Sequence, residues 1–208
     1  HVGNVRSALY PYLIAKQTGG DFILRIEDTD QARFVDGAED LILDTLKWLG
    51  LNWDEGPIYS KKNQEKGDFG PYHQTQRREK YLEWAQKMIE KGLAYADPYS
   101  PEEVEEFRKK AKSEKRAFLY RNHRPENPPE WKLGMPLRFK TPEIKRYSWN
   151  DAVMGELSAG AEALDDFILI KADGLPTYNF AHIVDDFVAH LCQEVVGEVT
   201  PVGSHSVC

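Results

Sequence analysis

The sequence predicts an α/β fold with a parallel sheet, interrupted by an α+β insertion. In the first part of the chain, helical patterns alternate with a strand at Phe22–Ile26. That strand carries apolar side chains on both alternations, as strands buried on both faces of a parallel sheet do. From Asn122 to Pro142 the prolines are dense, which favours loops and short strands, and the strand candidates are Leu137–Lys140 and, further along the chain, Phe167–Ile170.

Glycines and capping patterns predict where the first helices begin and end. A first helix is expected between His1 and Gly19–Gly20. Asp36 and Glu39 have capping-box spacing at the start of a second helix, which Gly50 ends. The expected buried face of this second helix is Leu41, Ile42, Thr45, Leu46 and Leu49.

Two more helices follow. One is expected from Gln76 to Lys91, with Gly92 as its stop. Its buried stripe is predicted to be Tyr81, Trp84, Ala85, Met88 and Ile89. The other begins at Ser100–Glu103, where a proline occupies the first turn and an acid follows the cap by three residues.

The charge of the chain is divided. The net charge is −7, but the segment from Arg108 to Arg124 holds eight basic residues and one acid, Glu114. This segment therefore carries +7 and the remainder −14. Clustered lysines and arginines are what phosphate contacts require, so the segment is a candidate nucleic-acid contact.

The cysteines and the chain ends indicate a reducing compartment and a fragment. Cys192 and Cys208 are the only cysteines, which excludes a disulfide framework and a cysteine zinc site in the rest of the chain. No run of 18 apolar residues is present. A cytoplasmic location is expected, and the chain is interpreted as a fragment because a motif already starts at residue 1.

His1-Val2-Gly3-Asn4, at the start of a helix, is a candidate phosphate site. Gly3 has no Cβ to keep a phosphate from the backbone, and the helix N-terminus favours negative charge. An imidazole at His1 can donate a hydrogen bond to charge that develops on the phosphate. Taken alone, a His near a turn explains the same pattern.

An acidic cluster, Glu27-Asp28-Thr29-Asp30, follows the strand at Phe22–Ile26 directly. Ligands of parallel α/β sheets bind at the carboxyl ends of the strands. A carboxylate at Glu27 is therefore a candidate partner for a substrate ammonium group. A solvated acidic loop is the alternative interpretation.

Taken in order, the motifs resemble class I glutamyl-tRNA synthetases. The resemblance covers residues 1–186. It is carried by the two motifs above and by three more: Leu46–Leu51 with Asp54–Pro57; Gly70-Pro71-Tyr72 with Gln74, Gln76 and Arg77; and Asp173–Ala181 with Val184-Asp185-Asp186. The string Arg25–Asp30 favours the glutamate enzyme over its glutaminyl relative.

The resemblance implies a Rossmann-like catalytic domain and roles for single residues. His1, Gly3 and Asn4 would bind ATP, which comes with Mg²⁺, and His1 would be catalytic. The predicted glutamate-binding residues are Glu27, Tyr178 and His182. The expected domains are 1–94, the first half of the Rossmann-like domain; 95–178, an insertion that binds the tRNA acceptor stem; and 179–208, the start of the second half, atypical after Asp186.

The predicted partners are tRNA(Glu), L-glutamate and ATP, with a monomeric parent enzyme. The predicted tRNA contacts are Arg108, Lys109, Lys110, Lys112, Lys115 and Arg116. No zinc is expected, because Tyr95–Tyr99 contains no cysteine where many relatives have a zinc site.

The sequence departs from the family pattern at both ends. The strand before His1 is absent, which is expected to leave an unpaired edge on Phe22–Ile26, and no Lys-Met-Ser-Lys-Ser-type loop occurs. The 208-residue chain is therefore expected not to activate glutamate alone. The alternatives are a glutaminyl-tRNA synthetase, a tRNA-modifying glutamylation enzyme, a small nucleotidyltransferase, and a non-catalytic fragment that binds tRNA or nucleotide.

Overall fold

The computed structural model describes residues 2–30, 35–61, 64–151, 153–188 and 204–207, with residues 2–4 and 204–207 described by their backbone alone. The chain forms two compact units. The first contains His1–Glu79 and Tyr178–Cys208, and the second contains Lys80–Thr177. The domain boundaries predicted after residues 94 and 178 stay predictions. No helix in the described parts of the chain is long and apolar enough to cross a membrane.

Five α-helices and nine short strands make up the described secondary structure. In chain order they are α1 (Val2–Thr18), β1 (Asp21–Leu24), α2 (Ala38–Trp48), β2 (Gly56–Pro57), β3 (Glu65–Lys66), α3 (Arg78–Glu90), β4 (Ala94–Ala96), α4 (Pro101–Ser113), β5 (Leu137–Phe139), β6 (Tyr147–Asp151), β7 (Gly155–Ala159), β8 (Ile168–Ile170), α5 (Tyr178–Val188) and β9 (Ser204–Val207). Short 3₁₀ turns lie at Gln74–Arg77, Tyr120–His123 and Ala161–Ala163.

Strand β1 is the centre of the first unit. Phe22, Ile23 and Leu24 are all buried, so the prediction of a strand covered on both faces is confirmed. One edge of β1 pairs in parallel with β9. In β1 and just after it, two more backbone bonds form: Leu24 N donates to the Glu55 carbonyl at 2.9 Å, and Ile26 N donates to the Tyr72 carbonyl at 2.8 Å. The expected unpaired edge is wrong, because β9 supplies backbone partners for β1.

Helix α2 begins and packs differently from its pattern. Its N-cap is Gly37, in a left-handed conformation and without a side-chain cap, so the predicted Asp36–Glu39 capping box is wrong. The Glu39 carboxylate instead lies 3.2 Å from Nε2 of His73. The buried residues are Leu43 and Leu46, whereas three members of the predicted face are exposed: Leu41, Ile42 and Leu49. The predicted end is confirmed, with Gly50 at φ 74°.

The second unit contains an antiparallel sheet in the order β4–β5–β8 and a β6–β7 hairpin. The two strands predicted at Leu137–Lys140 and Phe167–Ile170 are present as β5 and β8, paired with each other. Helix α4 has the predicted capping box. Ser100 N donates to Glu103 Oε2 at 2.7 Å, and Glu103 N donates to Ser100 Oγ at 3.2 Å. Helix α3 buries Tyr81 and Ala85 of its predicted stripe.

Candidate functional site

The buried guanidinium of Arg25 ties the carboxyl end of β1 to helix α5. Its Nε lies 3.4 Å from Asp185 Oδ2, and its Nη1 lies 3.3 Å from Asp186 Oδ1. Its Nη2 reaches back to Glu27 Oε1 at 3.5 Å. The acidic cluster that follows β1 is thus held against α5 by one arginine.

Asp185 gathers a second set of partners from the 3₁₀ turn at Gln74–Arg77. Arg77 Nε lies 2.6 Å from Asp185 Oδ1, and Gln74 Nε2 donates to Asp185 Oδ2 at 3.0 Å. The same Gln74 nitrogen lies 3.5 Å from Glu27 Oε1. Asp185 is 1% exposed, so this is a buried network and not a surface ion pair.

The network has an excess of negative charge. It contains two guanidinium groups, Arg25 and Arg77, and three carboxylates, Glu27, Asp185 and Asp186. Of the carboxylates, Asp185 is buried, while 18% of the Glu27 side chain and 23% of the Asp186 side chain are exposed. Among the described residues, carboxylates outnumber guanidinium groups at this strand end, and such partly buried negative charge favours a cationic ligand group over a neutral one.

Tyr178 and His182 lie in the first two turns of α5. Their rings stack with centroids 4.9 Å apart, and Nδ1 of His182 donates to the Tyr178 carbonyl at 2.8 Å. That bond leaves Nε2 of a neutral His182 as an acceptor. Because residues three apart share a helix face, His182 is on the same side of α5 as Asp185. The structure thus places all three predicted glutamate residues in the first unit: Tyr178 and His182 on α5, and Glu27 after β1, linked to α5 through Arg25.

The predicted ATP residues lie at the beginning of α1. The helix starts at Val2, so Gly3 and Asn4 are in its first turn, where amide N–H groups have no intrahelical partner. No acidic residue occupies that turn, so the turn itself supplies no carboxylate that would compete for those amides. His1 lies outside the described residues.

The basic segment divides into structural and exposed members. Arg124 forms a bidentate pair with Asp166, at 2.6 and 2.7 Å, and Arg121 donates to the carbonyls of Ala161 and Leu164. These two arginines fasten the 3₁₀ turn at Tyr120–His123 within the second unit. The six residues predicted to contact tRNA are all exposed: Arg108, Lys109, Lys110, Lys112, Lys115 and Arg116.

An aromatic cluster supports this segment. His123 stacks on Phe107 with centroids 4.3 Å apart and on Phe118 at 5.7 Å. Burial lowers the pKa of His123, and the nearby cations Arg116 and Lys110 lower it further. His123 is therefore held in its neutral form beside the exposed cations.

His73 shows the opposite behaviour. Its Nδ1 lies 2.9 Å from Glu65 Oε1, and its Nε2 lies 3.2 Å from Glu39 Oε1. Burial alone would lower the pKa of His73, but the hydrogen bonds to Glu65 and Glu39 together outweigh it, so the pKa is raised. Through these two contacts His73 links β3 and α2 to the turn that carries Gln74.

The model of the family of "tRNA synthetases class I (E and Q), catalytic domain" matches residues 1–198 of this chain. The chain belongs to this family. The match continues past Asp186, the point where the residues alone had predicted the likeness to end. The predicted fold class is confirmed at the level of this catalytic domain, and the predicted resemblance to glutamyl-tRNA synthetases is confirmed.

Curated relatives and solved structures agree with the family. The glutamate–tRNA ligase of Clostridium botulinum is 47% identical over 204 residues, and that of Christiangramia forsetii 40% identical over 215. A glutamate tRNA ligase from Elizabethkingia meningosepticum, solved in complex with its amino acid, superimposes with a TM-score of 0.78 at 37% identity and covers 91% of this chain. The chain spans 41% of the length of the two curated relatives and 39% of the solved chain.

Four network residues of this synthetase domain had no role assigned from the sequence: Arg25, Gln74, Arg77 and Asp185. All four belong to the motifs that carried the resemblance. Arg25 lay in the predicted strand and Arg77 in a predicted helix, whereas Gln74 and Asp185 lay outside every predicted element and had only the motifs as their signal. A different motif, Asp54–Pro57, is structural: the Glu55 carboxylate accepts from Tyr72 Oη and Asp68 N, which holds the loop to β1.

Proposed function

We propose that the protein carrying this chain activates L-glutamate with ATP and transfers it to the 3′ end of tRNA(Glu). The observation that carries the proposal is Glu27, a partly exposed carboxylate at the end of β1 in a network with excess negative charge. The α-ammonium group of an amino acid is the ligand group that this charge favours. The names of the relatives agree with glutamate as the amino acid.

The proposed glutamate site consists of Glu27, Tyr178 and His182. Glu27 binds the ammonium group, and the Tyr178–His182 stack lines the pocket on the α5 side. The second carboxylate oxygen of Glu27 and the Nε2 acceptor of His182 are the polar groups that the site offers. The excess negative charge also disfavours binding of the ligand's carboxylate at this position. The ammonium end of the amino acid is therefore the end that is bound at β1.

The proposed ATP site is the beginning of α1. The first-turn amides at Gly3 and Asn4 support binding of a phosphate, and His1 supplies a donor for the charge that develops as the glutamate carboxylate attacks the α-phosphate. Mg²⁺ comes with the nucleotide and neutralises its remaining phosphate charge. No zinc is proposed, because Tyr95–Tyr99 offers no thiolate.

The finer architecture is part of the same proposal. Residues 1–94 and 179–208 form parts of a Rossmann-like parallel sheet domain, with residues 95–178 as an insertion that binds the acceptor stem. The parallel β1–β9 pair and the antiparallel β5–β8 pair support this division. The exposed cations of the basic segment are the proposed phosphate contacts. The whole enzyme is proposed to be a cytoplasmic monomer.

The test is Glu27→Gln in the protein that carries this chain, with glutamate-dependent pyrophosphate exchange measured in the presence of tRNA. The substitution keeps the size and removes the charge, so the glutamate KM should rise about 10-fold or more, since a hydrogen bond to a charged group contributes about 1.5–3 kcal/mol. The ATP KM should change little. Glu83→Gln, in an exposed ion pair on α3, is the matched control.

Three outcomes would contradict the proposal. If glutamate and ATP are affected equally, Glu27 has a structural role only. If glutamine supports exchange better than glutamate, the protein is a glutaminyl enzyme. A protein that binds tRNA but catalyses no exchange with any amino acid would be a non-catalytic binder.

A further inference from the structure

Gln74 is a buried amide between two carboxylates. Its side chain is 1% exposed, and its Nε2 lies 3.0 Å from Asp185 Oδ2 and 3.5 Å from Glu27 Oε1. One NH₂ group thus bridges a buried carboxylate and the partly exposed one that the proposed function assigns to the ligand ammonium.

The orientation of this amide is determined by its neighbours. Only the nitrogen of a glutamine amide donates, and both neighbours are acceptors, so the flipped amide would place Oε1 against two carboxylates. In the observed orientation Oε1 is buried and has no hydrogen-bond partner among the described residues. A buried acceptor without a donor lowers the stability of the folded state. This arrangement therefore has a stability cost at Oε1, while Nε2 contacts Glu27 and Asp185.

The backbone around Gln74 is secured without its side chain. Gln74 N donates to the Ile26 carbonyl at 3.0 Å. Thr75 N and Oγ1 donate to the Asp28 carboxylate at 2.8 and 2.6 Å. His73 adds its contacts to Glu65 and Glu39. The main chain of this turn is therefore held by hydrogen bonds to residues on both sides of Glu27. These bonds do not use the Gln74 side chain, so its amide is available to orient Glu27.

We propose that Gln74 is a positioning residue for amino-acid binding: its NH₂ group holds the Glu27 carboxylate in the orientation that meets the ligand ammonium group, and screens it from Asp185. The inference rests on the proposed function. Without the amide, Glu27 and Asp185 keep Arg25 as a shared partner, at 3.5 and 3.4 Å, but lose the neutral donor that orients the Glu27 carboxylate, so Glu27 turns away from the ligand position.

The experiment uses the whole protein and compares Gln74→Met with Gln76→Met. Methionine has a similar length and no donor, and Gln76 lies in the same 3₁₀ turn but is exposed. Gln74→Met should raise the glutamate KM about 10-fold, the cost of one hydrogen bond to a charged group, with an unchanged ATP KM. Gln76→Met should leave both unchanged. Thermal unfolding of each variant verifies the fold, and Gln74→Asn, which withdraws the amide by one methylene, replaces the methionine variant if that one is unfolded.

A double variant identifies the path of the effect. In a Glu27→Gln background, Gln74→Met should add little to the glutamate KM, because the amide acts through a carboxylate that is no longer there. Fully additive effects would overturn the inference, and so would a normal glutamate KM in Gln74→Met. If Glu27→Gln is also without effect on glutamate, the proposed function fails; if only Gln74 is without effect, the inference alone fails.

Discussion

The guanidinium of Arg77 lies 2.6 Å from the carboxylate of Asp185, although the two side chains are only 3% and 1% exposed. Arg77 also donates to the carbonyls of Phe69 and Pro71, at 2.7 and 2.9 Å. The pair therefore joins α5 to the loop that precedes the 3₁₀ turn. An ion pair at this depth needs further partners, and it has them in these two carbonyls for Arg77 and in Gln74 Nε2 for Asp185.

Asp185→Asn should destabilise the protein strongly. The change leaves Arg77 and Arg25 buried with one fewer counter-charge, and removal of one partner of a buried pair costs about 3–5 kcal/mol. Chemical unfolding measures the loss. Glu83→Gln, which breaks the exposed pair with Lys87 on α3, should cost no more than about 0.5 kcal/mol. Similar losses in the two variants would show that the Asp185 network does not stabilise the fold.

Neutralisation of Arg108, Lys109, Lys110 and Lys112 should weaken tRNA binding and flatten its salt dependence. The slope of log K against log salt should fall by about 0.7–0.9 for each phosphate contact that is lost. Arg121 and Arg124 are left in place, because their side chains hold the second unit together. Lys91→Gln and Lys132→Gln, exposed lysines elsewhere in that unit, are the controls. An unchanged slope would assign the segment to a solvated helix face.

His123 should make the protein less stable in mild acid. Its pKa is lowered in the folded state, so the unfolded chain binds more protons near the ordinary value of 6.5. The stabilisation is therefore present above about pH 6.5 and is lost as the pH falls through the lowered pKa. Unfolding midpoints across this range should fall less steeply for His123→Phe, which keeps the stack on Phe107. An identical pH profile in the variant would contradict the assignment.

His73 should affect the pH dependence of stability in the opposite direction. Its raised pKa means that its ion pairs with Glu65 and Glu39 contribute below the unfolded pKa and are lost as the pH rises through the folded value. A His73→Gln variant separates the two histidines, since it should remove the loss of stability on the alkaline side and leave the acid side unchanged.

His1→Ala should lower the rate of glutamate activation about 10²–10³-fold, the effect of removing one donor to a developing charge. Glutamate binding should change little, because the proposed amino-acid site is at β1. Single-turnover formation of the adenylate measures the rate, and equilibrium binding of glutamate is the control. A normal rate would remove His1 from the mechanism.

Local sequence was sufficient to predict a structural feature wherever the interaction that determines it spans only a few residues. The capping box of Ser100 and Glu103, the helix end at Gly50 and the burial of Phe22–Leu24 followed from backbone chemistry and apolar spacing. The family could also be recognised from short sequence motifs. At α2, however, the cap pattern of Asp36 and Glu39 was wrong, because Glu39 has a partner 34 residues away in His73.

The sequence by itself determined that the chain is a synthetase catalytic domain, that Glu27 follows a buried strand, and that the cations cluster after Arg108. Only the tertiary structure decided which face of α2 is buried, which basic residues are exposed, and that Arg25, Gln74 and Arg77 converge on Asp185. Helix caps and strand burial depend on neighbours in the chain. The energy of a buried charge depends on partners that are up to 161 residues apart, as Arg25 and Asp186 are, and only folding brings these together.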